Sequence, residues 1–209
     1  MIEIVLFTLT SFGVGLSGAL VPGPMLTVTI SDSVKNGFRA GPTVVLGHIL
    51  TETLLMILIL AGLGWIIGSH TVSLIIGIVG GAVLILMGYN ISKTNDNPSD
   101  ISKKVNETKN YGSLIGGILT SISNPFFFIW WATVGCAFMY KGFELAGFIG
   151  LFGFIIGHWS ADFSWYSTVS FFSSRGSKIM SGKTYKTIMI ICGSFLILLG
   201  TYFILFQIL

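Results

Sequence analysis

Two acids stand deep inside apolar runs of this sequence, Glu52 and Asp162, and each follows a histidine by four residues, His48 and His158. On a helix, positions i and i+4 share a face. Each pair therefore reads as a His–carboxylate couple on one helix at about mid-membrane depth. Four roles fit such couples. The carboxylates could carry coupling protons. They could hold a substrate ammonium. Two histidines and two carboxylates could ligate a divalent metal. Or the couples could be buried structural hydrogen bonds that lock one helix to another. An ionisable residue at membrane depth marks a functional site by default. His70, in the short stretch GSHT, reads as a surface residue.

A second set of residues interrupts the apolar runs. Pro22, Gly23 and Pro24 sit in the first run, and Ser121, Asn124, Pro125 and Phe126 in the fourth. Pro125 removes one N–H and leaves the Ser121 carbonyl without its usual helical partner, and Pro22 and Pro24 do the same to Gly18 and Leu20. Asn124-Pro125 also reads as a helix start, a capping side chain followed by proline at the first helical position. Pro24 could begin a half-helix in the same way. A helix N-terminus carries partial positive charge and free N–H donors, which suit a carboxylate. The freed carbonyls suit an ammonium or another cation. A zwitterion needs both.

The expected substrate-binding set is thus Pro22, Gly23, Pro24, Ser121, Asn124, Pro125 and Phe126. The expected coupling or ion-binding set is His48, Glu52, His158 and Asp162. No catalytic residue, resident metal or cofactor is expected. Phe126, Phe127 and Phe128 are expected to line a cavity, and Trp130 and Trp131 to join an aromatic belt at the membrane interface. Trp159, Trp165 and Tyr166 flank Asp162, and both readings stay open for them.

The elements that position these residues follow from composition. Hydrophobic residues make up 53% of the 209-residue chain and charged ones 9%, against about 25% charged in a soluble domain. Six apolar runs can be read, at roughly 4–30, 42–68, 71–91, 113–140, 146–172 and 187–208, each near the ~20 residues that cross a bilayer core. One transmembrane domain, 1–209, is expected. The polar stretch 93–111 reads as a cytoplasmic linker between repeat one, 1–92, and repeat two, 112–209. The repeats share landmarks in order: a proline interruption, then GFRAG or GFELAG, then GHILTE or GHWSAD. Their gaps differ by about one helical turn. Three helices per half places the second half upside down. The expected fold is therefore an all-α membrane protein. Its six transmembrane helices form two inverted three-helix repeats, with helices 1 and 4 broken at the proline motifs.

Charge sets an expected orientation. Ten of the eleven lysines and arginines fall in the three loops of one side, and only Lys141 on the other. The positive-inside rule then puts both termini outside a plasma (inner) membrane. The basic excess is topological and calls for no nucleic-acid partner. Glu3 stands where a cleavable signal would carry positive charge. Cys136 and Cys192 lie in apolar runs without CxxC spacing and read as packing residues. GxxxG spacings such as Gly153 to Gly157 read as close helix contacts. No GxxxxGK[ST] is present, which argues against direct ATP coupling.

The stretch GALVPGPMLTVTISDSVKNGFRAGPTVVLGH, 18–48, resembles the signature of the LysE/RhtB-type amino-acid exporters, a PGP in the first helix followed by spaced glycines. SNP at 123–125 is similar to that family's second proline motif. The family often has lysine after the NP, where this chain has Phe126. The resemblance covers nearly the whole chain. It implies export of amino acids or related small zwitterionic metabolites by proton or cation antiport, with the lipid bilayer as its surroundings. Homo-oligomerisation stays open. The wider superfamily includes metal-ion exporters, so a divalent metal-ion exporter using the His–carboxylate pairs is the alternative. An enzyme is not expected, because no nucleophile motif is visible.

Overall fold

The computed structural model describes residues 1–63, 70–93, 111–179 and 181–208. Every element among the described residues is helical. The expected linker lies almost wholly outside them.

Helix α1, Ile2–Ala19, carries one charged residue, Glu3 in its first turn. It stops because the prolines that follow cannot donate to it. The chain tightens instead, with the Val21 N–H donating to the Gly18 carbonyl at 3.2 Å. It runs extended through Gly23 and restarts at Pro24, the first residue of α2, Pro24–Asn36. Gly37 ends α2 at φ 83°, in the left-handed region that glycine enters without a Cβ penalty. Helix α3, Ala40–Leu58, runs on into a short π-helical turn, Ile59–Leu63. Helix α4 spans His70–Ser92.

The second half repeats this interruption. Helix α5, Tyr111–Ile122, ends just before Asn124, and α6, Pro125–Trp130, begins at once behind it. A π-helical turn, Trp131–Gly135, leads into α7, Cys136–Ile179. That long helix is in fact two arms. Ala146 and Gly147 leave helical geometry, Gly147 at φ 59°, and the chain folds back. A Cβ on Gly142 would press on the Gly150 backbone at 2.8 Å, so the two strands of the bend touch main chain to main chain. Helix α8 spans Gly182–Ile208.

Among the described residues, five helices are long and apolar enough to cross a membrane, one of them the folded stretch Pro125–Gly176. Their outward faces carry large apolar side chains such as Leu54, Phe152 and Leu198, as lipid-facing surfaces do. Helix α1 packs along α7, α3 along α5, and α4 along α8. Glycines set these approaches. A Cβ on Gly157 would strike the Thr8 carbonyl of α1, and one on Gly47 the Leu114 carbonyl of α5. Gly81 and Gly88 of α4 lie as tightly against Gly200 and Gly193 of α8. In lipid, such backbone proximity supplies the dispersion contacts that a hydrophobic effect would supply in water. A knot of hydroxyls closes one end of the bundle. Ser170 of α7 donates to the Phe38 carbonyl at 2.7 Å and accepts from Ser33 of α2 at 2.7 Å and from the Gly41 N–H at 3.2 Å.

Gly117 is the sharpest test of this packing, because its Cβ would land on the Val44 carbonyl of α3. Neither atom is the end of a flexible side chain. Gly117→Ala should therefore lower the melting temperature of the detergent-purified protein, with a cost of about 1–3 kcal/mol. An unchanged thermal unfolding curve would mean that α3 and α5 are not this close.

Candidate functional site

Glu52 is the centre of the site. It sits on α3, 1% exposed, and is surrounded by donors from three directions. His158 Nε2 of α7 donates to its Oε1 at 2.8 Å. The Trp131 indole N–H reaches the same oxygen at 3.2 Å. The Trp159 indole N–H donates to Oε2 at 3.0 Å. His48 Nε2, one turn back on α3, lies 3.1 Å from Oε1. A buried carboxylate is costly unless its lone pairs are met, and here Oε1 has three partners and Oε2 one. Both oxygens are occupied.

Asp162 is the contrast. It is as buried, yet its Oδ2 has no hydrogen-bond partner. The imidazole Nε2 atoms of His158 and His48 stand 3.6 and 3.8 Å away, too far for good hydrogen bonds. The two couples thus cross-connect: both histidines point first at Glu52, and Asp162 is left with an open acceptor. His158 is held between rings, stacked on Trp130 at 4.7 Å and edge-on to Trp131 at 5.7 Å.

Ser121 joins this cluster to the end of α5. Its Oγ is 2.7 Å from His48 Nδ1 and 2.7 Å from the Gly117 carbonyl. A hydroxyl carries one hydrogen. When Ser121 donates to Gly117, His48 must donate from Nδ1, and its Nε2 contact with Glu52 then requires a second proton. When Ser121 donates to His48, the neutral ring suffices. The hydroxyl's direction and the charge of His48 are therefore tied.

A cavity of about 270 Å³ opens beside the cluster. It lies where the two interruptions face each other. Of the expected substrate-binding set, Pro22, Gly23, Pro24, Ser121, Asn124 and Phe126 line it, and Pro125 does not. His48, Glu52, His158 and Asp162 line it too. Interruption and cluster, separate in the sequence, share one chamber.

Several expectations need correction. The carbonyls of Gly18 and Ser121 are not freed for a cation, because tightened turns use them: Val21 N–H donates to Gly18 and Asn124 N–H to Ser121, each at 3.2 Å. The two half-helix starts are also unequal. Asn124 caps α6 with its own side chain, accepting from the Phe126 N–H at 3.1 Å, whereas Gly23 offers α2 no side-chain cap. Trp130 and Trp131 form no belt. Trp131 is 1% exposed, and both rings wall the cavity. Nothing in a run of aromatics tells lipid-facing from inward-facing indoles. The signal that could have found Trp159 is its place beside His158. Leu199 and Phe203 also line the cavity without having been singled out as its walls, and so does Tyr166, for which both readings were open.

The donor atoms of His48, Glu52 and Asp162 lie within 4.8 Å of one another, close enough to share a metal ion. An ion there would have to displace the hydrogen bonds that Glu52 already takes from His158, Trp131 and Trp159.

The family model described as LysE type translocator matches residues 16–207. A protein of Bacillus subtilis (strain 168) named "Putative amino acid efflux protein YcgF" is 26% identical over 193 residues, which is 90% of this chain and 90% of that protein. No solved structure matches the chain.

Trp131→Phe and Trp159→Phe each remove one N–H from a buried carboxylate while keeping a ring. Each should destabilise the purified protein by about 1.5–3 kcal/mol, the worth of a hydrogen bond to a charged group. Thermal unfolding in detergent reads the change. Melting temperatures equal to the parent protein's would mean that neither indole N–H bonds to Glu52.

Proposed function

The chain belongs to the LysE type translocator family, and from that membership we propose that it is a secondary-active exporter of amino acids or related small zwitterions, driven by proton or cation antiport. Members of this family are transport proteins rather than enzymes. The observation that carries the substrate reading is the chamber itself. Two proline interruptions, otherwise unaffordable at membrane depth, meet there around a carboxylate with an open acceptor. The B. subtilis relative's name supports amino acids and efflux. The divalent-metal reading is not favoured by either comparison.

In this reading His48, Glu52, His158 and Asp162 do the coupling. Glu52 is the fixed anion that holds the histidines in place. Asp162 is the carboxylate that takes and releases the coupling proton, since it alone of the two has an unoccupied oxygen. Pro22, Gly23, Pro24, Ser121, Asn124 and Phe126 shape the substrate end, and Pro125 fixes the start of α6.

The architecture is an inverted repeat of 1–92 and 112–209, with six membrane crossings. Its support is the pattern of neighbours. Exchanging the halves turns the α1–α7 contact into the α5–α3 contact and leaves α4–α8 unchanged. The glycines follow suit: Gly157 beside His158 packs on α1 as Gly47 beside His48 packs on α5. The loop charges support an orientation with both termini outside the plasma (inner) membrane.

Efflux from proteoliposomes preloaded with labelled amino acids tests the function, with and without an imposed pH gradient. Gradient-stimulated loss of label is expected, and no amino-acid movement under any gradient would overturn the reading. Two variants divide the carboxylate roles. Asp162→Asn should abolish gradient-driven efflux with little change in melting temperature, because Oδ2 has no hydrogen bond to lose. Glu52→Gln should lower both, because its amide N–H groups would face the indole or imidazole donors. Normal efflux by Asp162→Asn would remove Asp162 from coupling.

A further inference from the structure

We propose that the chamber selects amino acids with an uncharged, apolar side chain. The ammonium lies on Asp162, the carboxylate at the open start of α2, and the side chain against Phe126, Phe127, Leu199 and Phe203. This rests on the amino-acid transporter reading and adds which amino acids it takes.

The argument is a count of unoccupied charge partners. Both Glu52 oxygens already accept hydrogen bonds. Asp162, 3% exposed, keeps Oδ2 without a partner, with only the more distant Nε2 atoms of His48 and His158 beside it. Asp162 is therefore the cavity-lining carboxylate that an ammonium can pair with without displacing a hydrogen bond from its Oδ2. The anion partner is single as well. Helix α6 has only six residues, and Asn124 has already met its Phe126 N–H. Helix α2 has thirteen residues, and its cap is Gly23, with no side chain to offer. Pro24 has no N–H, and the Thr27 N–H bonds to the Gly23 carbonyl. The amides of Met25 and Leu26 remain at the positive end of the helix dipole. Gly23, Pro24, Met25 and Asp162 line the same cavity. One acceptor for an ammonium and one helix start for a carboxylate make a backbone zwitterion.

The rest of the wall decides the side chain. Among the described residues, no lysine or arginine lines the cavity, and no acid but Glu52 and Asp162. Phe126 meets Phe203 edge to face at 5.6 Å, so α6 and α8 close the chamber with aromatic surface. A lysine or arginine substrate would bring a second cation with no third carboxylate in the lining to meet it. A glutamate substrate would bring a second anion, and the imidazoles in the lining, His48 and His158, already face Glu52. Burying an unpaired charge is far more costly than leaving it in water. An apolar side chain has nothing to leave unpaired and gains contact with the rings.

Counterflow in proteoliposomes of the full chain tests this with labelled leucine inside and single unlabelled amino acids outside. Leucine, methionine and phenylalanine should exchange at least about tenfold better than lysine, arginine or glutamate, the smaller end of what an apolar pocket discriminates. Leucine amide, which lacks the carboxylate, should exchange poorly. Phe203→Ala should bring the leucine-to-alanine ratio close to one while alanine still exchanges. Exchange of lysine or glutamate as fast as leucine overturns the selectivity, and so does an unchanged ratio in both Phe203→Ala and Phe126→Ala. In those cases amino acids still move and the transporter reading stands. If no amino acid exchanges, the transporter reading and this inference fall together.

Discussion

The buried Glu52 carboxylate is the interaction on which the arrangement depends. A lone anion at membrane depth would be prohibitive, and the protein answers with donors drawn from widely separated parts of the chain. Trp131 comes from the turn behind α6, His158 and Trp159 from α7, and His48 from α3 itself. Each donor must be in place for the charge to be tolerated, so each helix is positioned by its duty to one carboxyl group. Removing one partner of such a set costs more than the set contributes, because the anion stays behind.

This demand explains the glycines. Side chains as short as those of His158 and Ser121 reach the centre only if their helices nearly touch. Gly15 gives way to the His158 ring, where a Cβ would sit 2.8 Å from Nδ1. Gly117 lets α3 and α5 close up one turn from Ser121, and the Ser121–His48 contact follows. The polar centre and the small-residue seams are two sides of one requirement.

Much of this was legible in the sequence, because its signals are local. The i, i+4 spacing of His48 with Glu52 and of His158 with Asp162 fixed which side chains share a face. Proline chemistry located both interruptions within a residue or two. What local reading could not supply was who meets whom. The couples looked self-contained, yet His158 crosses to Glu52. The tryptophans looked interfacial, because an indole's preference for interfaces is a property of composition and its burial against Glu52 is a property of tertiary packing. The carbonyls before the prolines looked free, because a missing helical bond is visible in sequence and the turn that replaces it is not. Asn124 was correctly read as a cap. Its success as a cap is also what uses up the Phe126 amide it was expected to offer a ligand.

The unequal caps of α2 and α6 have an evolutionary reading. Two Pro-initiated helices face one chamber, but one begins with glycine and the other with asparagine. An assembly of two identical short chains could not draw that distinction, since any residue placed at one start would also appear at the other. Joining both halves in one gene releases them from that identity. One start can then be plugged by its own side chain and left to hold the scaffold, while its counterpart stays bare. A single codon at each position, glycine at 23 and asparagine at 124, is enough to make the two helix starts at the chamber unlike.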